Sequence, residues 1–210
     1  MKPLLLFILA YLLGSLQSGV WLGQLFYQKD IRQFGSGNTG TTNTFRVLGK
    51  KAGIIVLFMD ILKGTLATSL PILFHLDINP LWFGVAAILG HTFPIFGHFK
   101  GGKAVATSAG MLLAYSPIFF VYSASIFVIL LLITSMVSLT SMLSAFLITL
   151  STILLPIFWP QVLPEHDWLL TGLATAITLF IIIRHRDNIK RIMAGTESRV
   201  PIGLRKSEKK

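Results

Sequence analysis

The sequence predicts an all-α integral membrane protein, a bundle of seven transmembrane helices forming one domain over residues 1–210, with the N-terminus outside and the C-terminus in the cytoplasm. Three observations predict it. The 210 residues are 53% hydrophobic and 12% charged, with a mean hydropathy of +0.74, outside the range of ordinary water-soluble domains. Charged side chains are missing from Pro3 to Gln28 and again from Ala104 to Pro164. Since one crossing takes roughly 20 apolar residues, the second stretch alone has room for about three. Finally, 16 of the 18 lysines and arginines fall in three segments, around 28–51, 98–103 and from Arg184 onward.

The first span, residues 3–27, opens like a signal peptide, with Lys2 before an apolar core and small residues at Gly14 and Ser15. The apolar text runs on through Trp21, Leu22, Leu25 and Phe26 without an A-x-A-like site, which predicts a retained helix. The next spans are 53–74 and 80–97, then 104–116, which is short enough to be re-entrant and leaves five or six crossings open. Pro117 ends that fourth element, because proline lacks a backbone donor and disfavours helix in the residue before it. Spans 118–134 and 138–158 are divided by Thr134-Ser135-Met136-Val137-Ser138, and Pro156, Pro160 and Pro164 close the sixth. The seventh covers 167–184. The loops around His75 and His166 are acidic or neutral, so the positive-inside rule puts all three basic segments on the cytoplasmic face, as seven crossings require.

That placement explains the net charge of +10 by membrane-flanking loops and gives no reason to expect a nucleic acid partner. The absence of cysteine excludes disulfides, thiolate metal sites and a cysteine nucleophile. His91 and His98 stand seven apart with no carboxylate between them, so no metal site is expected, and no cofactor is expected either.

The first basic segment holds GSGNTGTTNTFR, residues 35–46, whose Gly35, Gly37 and Gly40 fit the pattern G-x-G-x-x-G. A dinucleotide site needs a strand before the glycines, and here a membrane helix precedes them. An anion cradle survives that objection: the glycines let backbone N–H groups face a concavity, Ser36, Asn38 and Asn43 add polar groups, and Arg46 adds charge. A polar turn between two membrane helices is the alternative.

The second segment, GHTFPIFGHFKGGKAVAT over residues 90–107, matches most of a P-loop, but Ala104 stands where a magnesium-binding serine or threonine belongs. ATP hydrolysis is not expected. Phosphate binding still is, because Lys100, Gly101, Gly102 and Lys103 precede a helix whose positive end favours an anion.

The third segment, RHRDNIKRIMAGTE over residues 184–197, puts His185 and Asn188 three apart, on one face if the helix continues. Asp60 and Lys63 have the same spacing inside the second span and are expected to pair and face the bundle. Ser138 and Ser141, at the cytoplasmic start of the sixth span, are placed to cap that helix or touch an anion.

Anion cradles on a small apolar bundle suit a substrate charged at one end and fatty at the other. Lipid synthesis, transport of a small organic phosphate and a lipid-binding scaffold all remain open, although no internal repeat of the transporter kind is evident. Together, the three segments resemble the signature motifs of the bacterial membrane glycerol-3-phosphate acyltransferases that use acyl phosphate, in the same order and over residues from about 5 to 200.

The resemblance implies transfer of an acyl group from long-chain acyl phosphate to the 1-hydroxyl of glycerol 3-phosphate by a multi-pass protein of the bacterial inner membrane, surrounded by membrane lipid, with a cytoplasmic site and a monomeric chain as the expected state. It carries catalytic roles onto Ser36, Arg46, Lys103, His185 and Asn188. It carries substrate-phosphate binding onto the glycine loop from Lys100 to Lys103, while Glu197 matches an acid with a structural role. Thr41 and Ala104 depart from the commonest pattern, and Ala104 stands where glycine is frequent.

No histidine is followed five positions on by an acid: those positions hold Pro80, Phe96, Lys103, Thr171 and Lys190. The expected chemistry is therefore positioning plus neutralisation of phosphate charge, with a base role for His185 left open.

Overall fold

In the computed structural model, residues 1–204 are described, and they contain ten α-helices and no strand. Arg205, Lys206, Lys209 and Lys210, part of the third basic segment, lie outside the described residues. The chain divides into two compact units, Met1–Pro117 and Ile118–Lys210.

The first unit begins with a correction. Residues 3–27 are two helices, α1 (Lys2–Ser15) and α2 (Ser18–Tyr27), bent by 49° at Leu16 and Gln17. The run Gly14-Ser15-Leu16-Gln17-Ser18-Gly19 is poor in strong helix formers, and the Ser15 hydroxyl donates back to the Tyr11 carbonyl at 2.9 Å. Such a break inside an apolar layer persists only where other groups satisfy the freed backbone. Here the Lys63 ammonium donates to the Leu16 carbonyl at 2.8 Å.

Helix α3 (Thr41–Leu48) follows the glycine loop, and α4 (Lys50–Leu73) runs about 36 Å at 1.5 Å per residue, long enough to cross a bilayer. The third expected span is shorter than 80–97: α5 (Leu81–Thr92) stops before Pro94, and a 3-10 turn covers Ile95–Gly97. Helix α6 (Val105–Tyr115) ends at Ser116, as Pro117 requires.

These helices approach closely through small residues. A Cβ at Gly64 would run into the Thr107 carbonyl, and one at Gly110 into the Ile61 carbonyl, so α4 and α6 pack nearly backbone to backbone. Gly14 and Gly90 do the same for α1 and α5, where Phe7 stacks on Phe83 at 4.1 Å. Leu6, Ala10, Ala67, Leu70, Phe83 and Ala87 form the buried core of this unit.

The second unit contains α7 (Pro117–Thr134) from its second residue on, α8 (Val137–Phe158), α9 (Trp168–Arg184) and α10 (Arg186–Met193). Pro156 lies inside α8, which ends only at Phe158; so close to the terminus, proline removes one backbone bond without stopping the helix. Hydroxyl contacts link the helices: Tyr122 to Ser151 at 3.0 Å and Thr149 to Thr178 at 2.8 Å. Helix α7 buries only Phe119 and Ser123, and its other faces are apolar and open, which suits acyl chains as solvent.

Three helices are long and apolar enough to span a membrane, up to five elements if each bent pair, α1–α2 and α9–α10, counts once. The protein is thus a helical, multi-pass membrane protein.

Substituting Gly110→Leu should push α6 off α4 and cost about 2 kcal/mol, read as a lower thermal midpoint in detergent. Gly172→Ala, where the added Cβ meets nothing within 4 Å, should not destabilise and should gain up to about 1 kcal/mol of helix propensity.

Candidate active site

The loop of the first basic segment is organised by Asn43. This residue is 1% exposed, and its side chain makes four hydrogen bonds. Its Oδ1 accepts from the Ser36 N–H at 2.9 Å and the Ser36 hydroxyl at 3.2 Å; its Nδ2 donates to the carbonyls of Ile31 and Phe34 at 2.8 and 3.1 Å. The amide therefore folds the loop and fixes where Ser36 sits. Gly35, at φ +62°, has no room for a Cβ between Asn43 and the Arg46 side chain, so both its conformation and the close approach call for glycine. Asn38 accepts from the Gly40 N–H at 2.9 Å, closing a turn before α3, and Gly37 is also left-handed at φ +69°. Ser36 and Arg46 are exposed, Arg46 lying in the last turn of α3.

The second loop is tied down from several sides. The Gly102 N–H donates to the His91 carbonyl at 3.1 Å, and a Cβ on Gly102 would enter the His91 ring. A Cβ on Gly101 would meet the carbonyls of His91 and Thr92. The Lys100 carbonyl accepts from the Gln17 amide at 2.8 Å. Lys100 is exposed and Lys103 half-buried. As the sequence suggests, the loop runs into a helix N-terminus, with Ala104 as the residue before α6.

Three non-glycine residues in this loop are left-handed: His98 at φ +52°, Phe99 at +59° and Ala104 at +68°. Each costs roughly 1–2 kcal/mol relative to ordinary backbone, a strain that surrounding contacts must hold. Ala104, fully buried, thus carries a conformation that glycine would adopt freely.

Beneath this loop lies the expected Asp60–Lys63 pair, 2.8 Å apart and buried. The Ser18 hydroxyl donates to Asp60 at 3.0 Å, and the His91 Nδ1 stands 3.9 Å from the same carboxylate oxygen.

In the second unit, Glu197 gathers the third segment. Its Oε1 accepts from Ser138 and from the Asn188 amide, both at 2.7 Å, and its Oε2 accepts from Arg191 at 2.7 Å. Burial raises the pKa of this carboxyl, but the bonds from Asn188, Ser138 and Arg191 together outweigh it and hold the value below the ordinary 4.5.

His185 and Asn188 are both buried, though not on one continuous helix. The chain bends by 59° at His185, which ends α9 and precedes α10, with Nδ1 on the Ile181 carbonyl at 2.8 Å. Ser141 bonds back to the Val137 carbonyl at 2.8 Å rather than capping α8. Beyond Glu197, the Val200 N–H reaches the Ser135 carbonyl and the Leu204 N–H the Leu132 carbonyl, anchoring the tail to the end of α7.

Thus Ser36, Asn38, Asn43, Arg46 and Lys100 to Lys103 lie in the first unit; Ser138, Ser141, His185, Asn188 and Glu197 lie in the second. Sequence reasoning missed Gln17 and considered His91 only as a metal ligand. A glutamine in the middle of an apolar span was the available signal for the former.

Comparison with known proteins gives a consistent answer. A family profile described as Glycerol-3-phosphate acyltransferase matches residues 4–195. A glycerol-3-phosphate acyltransferase of Enterococcus faecalis is 73% identical over 206 residues, covering 98% of this chain and 95% of the relative. One from Levilactobacillus brevis is 56% identical, covering 97% and 96%. Among solved structures, PlsY, an integral membrane glycerol 3-phosphate acyltransferase, in its glycerol 3-phosphate form aligns with a TM-score of 0.84 at 37% identity, over 95% of this chain and 96% of that one. Its lysophosphatidic acid form aligns with a TM-score of 0.78 at 36% identity, over 95% of each chain.

Ala104→Gly should raise the thermal midpoint by a stabilisation of about 0.5–1 kcal/mol, strain relief exceeding the added freedom of the unfolded chain; a lower midpoint would contradict the strain. A carboxylate held below its ordinary value stabilises the fold above pH 4.5, and that contribution disappears as pH falls through the depressed folded-state value. Thermal midpoints measured from neutral pH down to about pH 3 should accordingly fall below pH 4.5 for the parent and fall less steeply there in Glu197→Gln.

Proposed function

Because the chain belongs to the glycerol-3-phosphate acyltransferase family, we propose that it transfers a long-chain acyl group from acyl phosphate to the sn-1 hydroxyl of glycerol 3-phosphate, giving 1-acyl-sn-glycerol 3-phosphate and inorganic phosphate in phospholipid biosynthesis. The observation that carries this reading is the Gly101-Gly102-Lys103 turn, folded against His91 and leading into the positive end of α6 within an otherwise apolar protein. Such a turn suits the phosphate of glycerol 3-phosphate, beside an apolar bundle that can receive the fatty acyl donor.

Acyl phosphate is a mixed anhydride, already activated for attack. The hydroxyl oxygen forms a bond to the acyl carbon, the bond from that carbon to the phosphate oxygen breaks, and the departing phosphate accepts the hydroxyl proton. The protein's task is then to hold both phosphates and disperse charge. Arg46 supplies a bidentate fork, Lys103 and Lys100 supply point charges, and Ser36 turns its hydroxyl from Asn43 to the phosphate when substrate binds, its N–H still held by the Asn43 amide. His185 and Asn188 orient glycerol 3-phosphate, with Glu197 fixing Asn188 and Ser138 from behind; Ser141 lies one turn along the same helix from Ser138. No metal or cofactor enters this scheme.

The chain acts as a single, monomeric transferase domain of the bacterial inner membrane with its reaction on the cytoplasmic side. Seven crossings, N-terminus outside, are supported by the three long helices, the two bent pairs and the two shorter apolar elements, Leu81–Gly97 and Val105–Tyr115. The clustering of cations in three loops supports the orientation.

Purified protein offered labelled glycerol 3-phosphate should form product with acyl phosphate and not with acyl-CoA or acyl-carrier protein; no product with any donor, together with uptake into proteoliposomes, would replace the enzyme with a transporter. Arg46→Lys should lose about 100-fold in kcat/KM, because a point charge cannot reproduce the planar fork. Near-parent turnover would remove Arg46 from the reaction.

A further inference from the structure

We propose that the break in the first membrane helix, Leu16-Gln17-Ser18, together with the buried Asp60–Lys63 pair, is a clamp that positions the Gly101–Lys103 turn for phosphate, with Gln17 as a positioning residue for the transfer reaction. The role in turnover rests on the acyltransferase reading above; the role in anion binding does not.

Three consecutive residues at the break each make a long-range contact. Leu16 offers its carbonyl to Lys63 at 2.8 Å, Gln17 donates its amide to the Lys100 carbonyl at 2.8 Å, and Ser18 donates to Asp60 at 3.0 Å. Gly97 has no room for a side chain because the Gln17 amide occupies that space, so Gln17 touches the loop at both Gly97 and Lys100. On the other side of the turn, His91 holds the Gly102 N–H and fills the space where a Gly102 side chain would be, with its Nδ1 3.9 Å from Asp60. The glycine turn is therefore gripped from Gln17 and from His91, and both lead back to the same buried ion pair.

The energetics favour a role beyond stability. A buried ion pair is often no more stabilising than apolar side chains of similar volume, and its cost is higher inside a membrane span. An unbroken α1 would need neither Lys63 at Leu16 nor Ser18 at Asp60, and it would carry Gln17 into the helix interior, away from Lys100. The break and the charges form one device, and its output is the position of the loop backbone at Lys100. Since strained residues at 98, 99 and 104 flank that loop, it does not hold its shape by intrinsic preference.

Two full-length variants test the clamp. Gln17→Met keeps length and bulk against Gly97 but cannot donate to Lys100. Asp60→Asn combined with Lys63→Met removes both charges at once, so no charge is stranded, and it takes the donor from the Leu16 carbonyl, so the break itself is tested. In each, KM and the directly measured Kd for glycerol 3-phosphate should rise about tenfold, while kcat changes by less than about threefold. The thermal midpoint of Gln17→Met should stay within about 5 °C of the parent, the scale of one lost hydrogen bond.

Unchanged Kd in a folded variant would overturn the clamp, as would loss of thermal stability in step with activity in both, which assigns the cluster to folding alone. Kd is read without turnover. A parent chain that binds glycerol 3-phosphate yet acylates it with no donor would therefore sink the acyltransferase reading, and the variants' Kd would still decide the clamp.

Discussion

The contact between the Lys63 ammonium and the Leu16 carbonyl, with Asp60 beside it, is the interaction on which the first unit is arranged. An apolar surrounding offers no water to a broken helix, so every exposed backbone group needs an internal partner. Lysine provides one at Leu16, aspartate balances the lysine, and Ser18 completes the carboxylate's shell. With that requirement met, α1 can turn by 49° into α2. That bend brings Gln17 to Lys100 and sets Gly19 against Thr39 and Thr44, at the base of the first glycine loop.

Glycine does two different jobs around this centre. At Gly64, Gly110, Gly14 and Gly90 it permits helices to touch along their backbones, where dispersion contacts replace the hydrophobic effect that lipid cannot supply. At Gly35 and Gly102 it makes room for a neighbouring side chain, Asn43 in one loop and His91 in the other. The first loop is held by the Asn43 amide and the second by the His91 carbonyl and ring, so each keeps its shape through a polar neighbour.

The second unit solves a similar problem with a carboxylate. Glu197 lies nine residues beyond Asn188 and 59 beyond Ser138, yet one oxygen accepts from both. The negative charge is balanced by Arg191, and the chain after it is anchored by backbone bonds to Ser135 and Leu132. Asn188 is thereby fixed by the carboxylate, so in the substrate-orienting role proposed above it would lose little entropy on binding.

The sequence alone determined the membrane class, the absence of sheet among the described residues, the approximate spans, the boundary at Pro117 and the Asp60–Lys63 pair, because hydropathy, proline geometry and helical spacing act over a few residues. It also located the two glycine loops and the three clusters of cations. Tertiary structure alone decided that residues 3–27 break at Leu16, that Asn43 folds its own loop, and that Gln17 meets Lys100 across 83 positions. Those outcomes depend on which buried polar group finds which distant partner. In an apolar medium that choice is set by packing geometry, to which no local pattern of residue types corresponds.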